Sequence, residues 1–311
     1  MNSHARSGKK FLLLFAITVF GLTLMASSAF PGDPEKAKGF FNSGLTLQKE
    51  GNDSLAINEY KQALKEDPQF VDAYINLGSI YFDGNNLGEA EAQFKKATEI
   101  APGNTDAWAN LGRTYYKQKK YLESEQSYRK ALEANPGYVE VYKDLGLLYH
   151  KQSNWPALVE NMAKYTEKVT NDHLAYYLLG KGYQNLKKYP DAIAAYNKTI
   201  GVKPDYFNAY NSLGQIYQNQ NKNLDAYKMF QKAADISPDN YLTLYNLAIS
   251  YETEYQDEQV KIDQVIANWS KFVKVAKSNP KAKSLVGSAE EHLVDLKELK
   301  THYEEEASSK L

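Results

Sequence analysis

VDAYINLGSIYFDGNNLGEAEAQFKKATEIAPGN at residues 71–104 and TDAWANLGRTYYKQKKYLESEQSYRKALEANPGY at residues 105–138 align without a gap. The first carries Tyr74, Leu77, Gly78 and Tyr81; the second carries Trp108, Leu111, Gly112 and Tyr115 in the same places. Spacings of three and four put each set on one face of a helix. After a polar turn, Ala90, Phe94 and Ala97 mark one face of a second helix, matched by Tyr128 and Ala131 in the next block. Pro102 and Pro136 then close that helix, because proline lacks an amide donor and its ring clashes with the preceding turn.

The same 34-residue ruler extends in both directions. Pro68, Pro204 and Pro238 fall on it, and Thr170 holds the remaining mark. Six repeats follow, at 37–70, 71–104, 105–138, 139–172, 173–206 and 207–240. A seventh, 241–280, starts in register and loses it after Tyr251. Glycine recurs at repeat position 8 as Gly44, Gly78, Gly112, Gly146, Gly180 and Gly214. Each costs about 1 kcal/mol against alanine inside a helix, so six in phase imply close approach of a neighbouring helix. Pro156 and Pro190 fall in the first turn of second helices, where a missing donor is harmless.

Aromatic, Leu-Gly, Tyr, then Ala, aromatic, Ala and Pro at this period resembles the tetratricopeptide repeat, over roughly residues 37 to 280. The resemblance implies an all-α, right-handed superhelical solenoid of helix-turn-helix repeats that binds protein or peptide partners. Neighbouring repeats bury a continuous core, and the end repeats need caps. Residues 281–311 supply such a cap: Val286, Ala289, Leu293, Leu296 and Tyr303 recur at helical spacing with charged residues between. A coiled-coil docking helix is the other reading of that stripe. Repeat 4 departs from the pattern, with Leu158, Met162 and Tyr165 where alanine, an aromatic and alanine are expected. These larger residues predict a pair of helices pushed apart, either in a degenerate but packed repeat or at a hinge or partner site.

Residues 1–29 read as a signal peptide: Arg6, Lys9 and Lys10 precede the apolar run from Phe11 to Met25, and Ser27 and Ala29 suit cleavage. Residues 30–36 form a short lead-in. The expected location is periplasmic or secreted; membrane association follows only if the signal is retained. The terminal Ser309-Lys310-Leu311 matches a peroxisomal address, which conflicts with export and is read as coincidence, a tripeptide being far easier to match by accident. Losing three basic residues takes the net charge from −1 to −4, which argues against nucleic acid as a partner. Cysteine is absent, so disulfides and thiolate sites are excluded.

Nothing in the chain suggests catalysis. Of five histidines, His4 leaves with the signal, and His150, His173, His292 and His302 have no metal-ligand or triad spacing. The glycines lie inside helices and form no phosphate loop. No cofactor or metal is expected. The matches to the glycosylation sequon at Asn52, Asn197 and Asn268 matter only in a eukaryotic secretory route.

What remains is a groove. In proteins with this repeat, positions 2, 5, 6, 9, 12 and 13 of the first helices line the concave face. Position 6 carries Asn42, Asn76, Asn110 and Asn246, with Asp144, Leu178 and Ser212 between. A carboxamide both donates and accepts, so it suits a peptide backbone whatever its side chains. Phe41, Phe82, Tyr116, Tyr177 and Tyr245 are candidate anchors beside it. The carboxylate clamp of co-chaperones is absent: Phe41, Leu45, Asp72, Ile75, Ser79 and Asp106 stand where it needs lysine or asparagine. The expected function is a non-catalytic scaffold of the cell envelope that holds an extended partner segment. The alternatives are a peptide-binding chaperone for exported chains, or an accessory subunit of a pilus, secretion or envelope-assembly machine. Intact-mass analysis of protein from its native host is expected to find a chain beginning at Phe30; a chain still starting at Met1 contradicts the export reading.

Overall fold

The computed structural model describes residues 32–256 and 258–309. The signal segment 1–29 therefore lies outside the described residues, as do Phe30 and Pro31 of the lead-in and Lys310 and Leu311 at the C-terminus. Fifteen α-helices, two short 3-10 turns and no strand occur among the described residues. They divide into two compact units, one ending at Ala73 and one starting at Tyr74.

In the first unit, α1 (Pro34–Lys49) and α2 (Asp53–Glu66) make a helical hairpin. Helix α1 begins inside the lead-in, ahead of the repeat boundary at 37. Asp33 caps it, accepting from the amides of Glu35 and Lys36, and Pro34 takes the first helical position. Gly44 lies against the ring of Tyr60, where an added Cβ would fall 2.7 Å from Cε1. That ring is fully buried, and its hydroxyl donates to Gln48 Oε1 at 2.8 Å.

The same construction repeats in the second unit. Helix α3 (Val71–Asp83) pairs in sequence with α4 (Leu87–Ile100), then α5 (Thr105–Lys117) with α6 (Tyr121–Ala134) and α7 (Val139–Lys151) with α8 (Trp155–Lys168). Next come α9 (His173–Asn185) with α10 (Tyr189–Val202), and α11 (Phe207–Asn219) with α12 (Asn223–Ile236). In each, the position-8 glycine faces the residue 16 places on: Gly78 meets Phe94, Gly112 Tyr128, Gly180 Tyr196 and Gly214 Phe230. An added Cβ would lie 2.6 to 2.8 Å from those rings, which are at most 2% exposed. The glycine thus gives up helix propensity so that a large ring can be buried against backbone.

The hairpin turn uses the left-handed region at one repeat position throughout. Gly51 has φ +78° in the first unit; Asn85, Lys119, Ser153, Lys187 and Asn221 have φ of 56° to 63° in the second. Glycine and asparagine tolerate that region, whereas lysine and serine hold it at a cost of about 1–2 kcal/mol.

Repeat 4 is packed. Leu158 and Met162 are fully buried, and a Cβ on Gly146 would meet Met162 Cε at 2.5 Å, as tight as in the regular repeats. The added bulk is absorbed next door. Gly182 of α9 has Leu158 Cδ2 and Val159 Cγ2 2.6 and 2.7 Å from where its Cβ would be. A glycine in the following repeat therefore makes room for a leucine in the place of alanine, and the expected spreading of α7 from α8 is not what accommodates it.

Beyond repeat 6, α13 (Tyr241–Tyr255) is followed by a 3-10 turn at Gln259–Lys261, α14 (Ile262–Ala276), a second 3-10 turn at Pro280–Ala282 and the long α15 (Lys283–Ser309). Helix α14 buries Val265, Trp269, Phe272 and Val273, and α15 covers them with Val286, Ala289, Leu293 and Leu296. Glu252 ties three helices: one carboxylate oxygen accepts from Trp269 Nε1 at 2.8 Å and the other lies 2.7 Å from His292 Nε2. Lys300 reaches Asp263 at 2.6 Å further along α15.

Two glycines of α1 test the glycine–ring contact by opposite signs. A methyl added at Gly39 would have nothing within 4 Å, so Gly39→Ala is expected to stabilise by about 0.5–1 kcal/mol. Gly44→Ala drives a methyl into Tyr60 and is expected to destabilise by about 1–3 kcal/mol despite better propensity. Urea denaturation of both variants checks this; equal shifts of the same sign contradict it.

Candidate peptide-binding face

The candidate asparagines and aromatics occupy different surroundings. In the first unit Asn42 is exposed, while Phe41 packs on Tyr60 and Phe70 at centroid distances of 5.6 and 4.8 Å. In the second unit Asn76 and Asn110 are half-buried. The side-chain carbonyl of Asn110 accepts from Arg113 Nη1 at 3.1 Å, and Arg113 Nε donates to Asp144 Oδ2 at 2.7 Å. Positions 6 and 9 of repeat 3 are thereby tied to position 6 of repeat 4. Burial pushes the Asp144 carboxyl up, and the neighbouring guanidinium works against that shift. Arg113 carries no mark in the sequence, because its partner lies one repeat away.

The aromatic candidates are mostly engaged already. Lys117 Nζ sits 3.8 Å from the centre of the Phe82 ring, and Tyr116 lies 6.0 Å from Tyr121. Tyr245 is wedged edge-on against Trp269 and Phe272, so α14 occupies it, and Asn246 beside it is half-buried. Tyr177 rests on Tyr196 and Tyr206 at 5.7 and 5.2 Å.

Of these, Tyr177 borders an open concavity of about 530 Å³ between α9 and α11. Its walls come mainly from positions 5, 9, 12 and 13 of repeat 5 and positions 2, 5, 6, 9 and 13 of repeat 6. Six carboxamides line it: Gln184, Asn185, Asn208, Asn211, Gln215 and Asn219. Lys181 and Lys187 add positive charge, and no carboxylate joins them in the lining. Several amide groups are fixed in place. Tyr196 donates to Gln184 Oε1 at 2.6 Å, Asn185 Nδ2 donates to the Lys181 carbonyl at 2.8 Å, and Asn211 Oδ1 accepts from Thr243 at 3.3 Å. Each of these bonds uses one end of a carboxamide and leaves the other for a ligand.

The concavity follows from the fold. Gly180 and Gly214 draw α10 and α12 onto the backs of α9 and α11, which turns positions 5, 9 and 13 away from the core. In the sequence, position 6 repeats asparagine and stands out, whereas these residues follow no recurring mark. The available signal was the set of groove positions in repeat 6, where Asn208, Asn211, Ser212, Gln215, Gln218 and Asn219 are all uncharged and polar.

With this geometry in place, comparison with known proteins gives the family. Tetratricopeptide-repeat profiles match residues 47–111, 105–138 and 207–240, and a TPR-repeat profile matches 183–221. The chain belongs to the tetratricopeptide-repeat family. Among solved structures it is similar to YrrB, described as a TPR protein with an unusual peptide-binding site, at 24% identity and TM-score 0.57, covering 60% of this chain and 96% of that one. The C-terminal part of a TPR repeat-containing protein from Cytophaga hutchinsonii aligns at 18% identity and TM-score 0.63, covering 78% and 98%. Pseudomonas aeruginosa PilF aligns at 17% identity and TM-score 0.53, covering 70% and 97%. These likenesses establish an all-α tetratricopeptide solenoid. No curated protein is similar enough to count as a relative.

Among the described residues, no group of His, Asp and Glu is placed to hold a metal ion, and no helix is long and apolar enough to cross a membrane. Asn268, one of the three sequon asparagines, is buried in α14.

Proposed function

We propose that this tetratricopeptide-repeat protein is a non-catalytic scaffold of the cell envelope that holds an extended segment of a partner protein along the groove face of its first helices. One observation carries the reading: an open concavity lies on the groove positions of two adjacent repeats and is walled by carboxamides. Such walls pair with backbone amides and carbonyls, each bond contributing about 1 kcal/mol net. The envelope location rests on the signal-like N-terminus. Groove use by repeats 2 and 3, through Asn76 and Asn110, is part of the same proposal, with Arg113 and Asp144 now counted beside Asn110.

A peptide-binding chaperone for exported chains is the second reading. The density of carboxamides favours it, because they read backbone and tolerate many side chains.

A photoreactive amino acid at Gln215, on the groove face of α11, is compared with one at Lys198, exposed on α10. In cells of the native host the scaffold reading expects one discrete crosslinked partner from Gln215 and none from Lys198. A broad ladder of products from Gln215 favours the chaperone. Crosslinks from Lys198 alone move the partner off the groove and contradict both readings.

A further inference from the structure

The concavity of repeats 5 and 6 carries two lysines and no carboxylate in its lining. In repeats 3 and 4 the cations at groove positions 5 and 9 are matched. Arg113 pairs with Asp144, and Lys143 reaches Asp172 at 2.7 Å. Tyr138 similarly takes up Asp106 at 2.7 Å. At position 9 of repeat 5 the matching stops. Lys181 and Lys187 enter the concavity lining, neither has a carboxylate within ion-pair distance among the described residues, and the other ten lining residues are carboxamides, tyrosines and one serine. Lysine ammonium groups left without a counterion at the edge of a recess attract anions, and the recess walls limit competing water.

A second feature restricts the ligand's shape. The carboxamides descend from one repeat to the next, Gln184 and Asn185 on α9 and then Asn208, Asn211, Gln215 and Asn219 on α11. Asn208, Gln215 and Asn219 make no side-chain hydrogen bond among the described residues, and Gln184 and Asn211 have their oxygens engaged, which leaves their NH2 groups as donors. A row of donors and acceptors along two helices matches the alternating groups of an extended backbone.

We propose that this concavity is the subsite for an extended peptide segment bearing aspartate or glutamate, its backbone held by the carboxamides and its carboxylate seated between Lys181 and Lys187. The proposal rests on the reading of the groove face as a peptide-binding surface and assigns the chemistry that the surface selects. The arrangement lies outside the clamp pattern of co-chaperones, since Tyr177, Leu242 and Asn246 stand where that pattern carries its lysines and arginine. The positive field is felt nearby. His150, at position 12 of repeat 4, is held below its ordinary value by burial first and then by Lys181 and Lys151. An anion at Lys181 offsets that field. Lys187 adopts the left-handed turn conformation, φ 58°, so its place at the rim is set by the hairpin and not by a flexible loop.

The test passes a degenerate nine-residue peptide library over the immobilised mature chain and sequences what is retained. The wild-type chain is expected to enrich aspartate and glutamate. A peptide from that pool should bind roughly tenfold more weakly when its acidic residues become asparagine or glutamine, and equally more weakly to Lys181→Gln combined with Lys187→Gly. Glycine at 187 keeps the turn conformation, and circular dichroism of the double variant checks that the helices persist. Asn208→Ala with Gln215→Ala should weaken acidic and neutral peptides alike. Retained peptides with no acidic bias, still lost in the carboxamide variant, overturn the charge assignment while leaving the groove reading intact. Retention of no peptide overturns both, as does preferential binding of neutral oligosaccharides in a parallel array.

Discussion

The contact between a position-8 glycine and the side chain 16 residues later is the constraint on which the rest of each repeat depends. Without a Cβ at Gly112, the Tyr128 ring lies directly on the backbone of α5, and α6 follows it. Losing helix propensity costs about 1 kcal/mol per glycine, whereas burying an aromatic side chain is worth more than that. The contact fixes how far apart the two helices lie and which face of the first helix stays outside. The carboxamide-lined concavity sits on that remaining face.

Repeat 4 and its neighbour illustrate how tightly the scheme is enforced. Met162 replaces the ring and still fills the space over Gly146, because an unbranched thioether adapts to an irregular gap. Leu158 exceeds the alanine expected there, and Gly182 removes a side chain across the interface to receive it. Two departures from the repeat pattern that look unrelated in sequence, 24 residues apart, are one packing event. The end of the second unit is organised differently, by a single carboxylate, Glu252, shared between Trp269 and His292.

The fold was legible because its signals are periodic: proline, glycine and aromatic residues recur at fixed marks, so no single assignment had to be trusted. Features carried by no residue type were illegible. The left-handed turn position is glycine once and asparagine twice, but lysine at 119 and 187 and serine at 153, so backbone geometry dictates it and composition hides it. The candidate site was half legible. Groove positions follow from the repeat, yet whether a groove side chain faces a partner or a neighbour depends on what lies one repeat away. Asn110 looked like a free rung and is bonded to Arg113; Tyr245 looked like an anchor and is packed under α14. The residues that do wall an open recess, around Gln215 and Asn219, carried no recurring mark to draw attention.

The most direct measurement of this account is a double-mutant cycle at Gly180 and Tyr196, the pair behind the helix that presents Tyr177, Lys181 and Gln184. Gly180→Ala alone pushes a methyl into a buried ring, and Tyr196→Leu alone leaves unfilled space. If the two groups form one contact, each change relieves the other. Urea denaturation of the four chains is then expected to give a double variant more stable than the sum of the single losses by about 1–2 kcal/mol. Additive losses would contradict the account, because glycine and ring would then be acting as independent residues and some other contact would have to set the pairing of the helices.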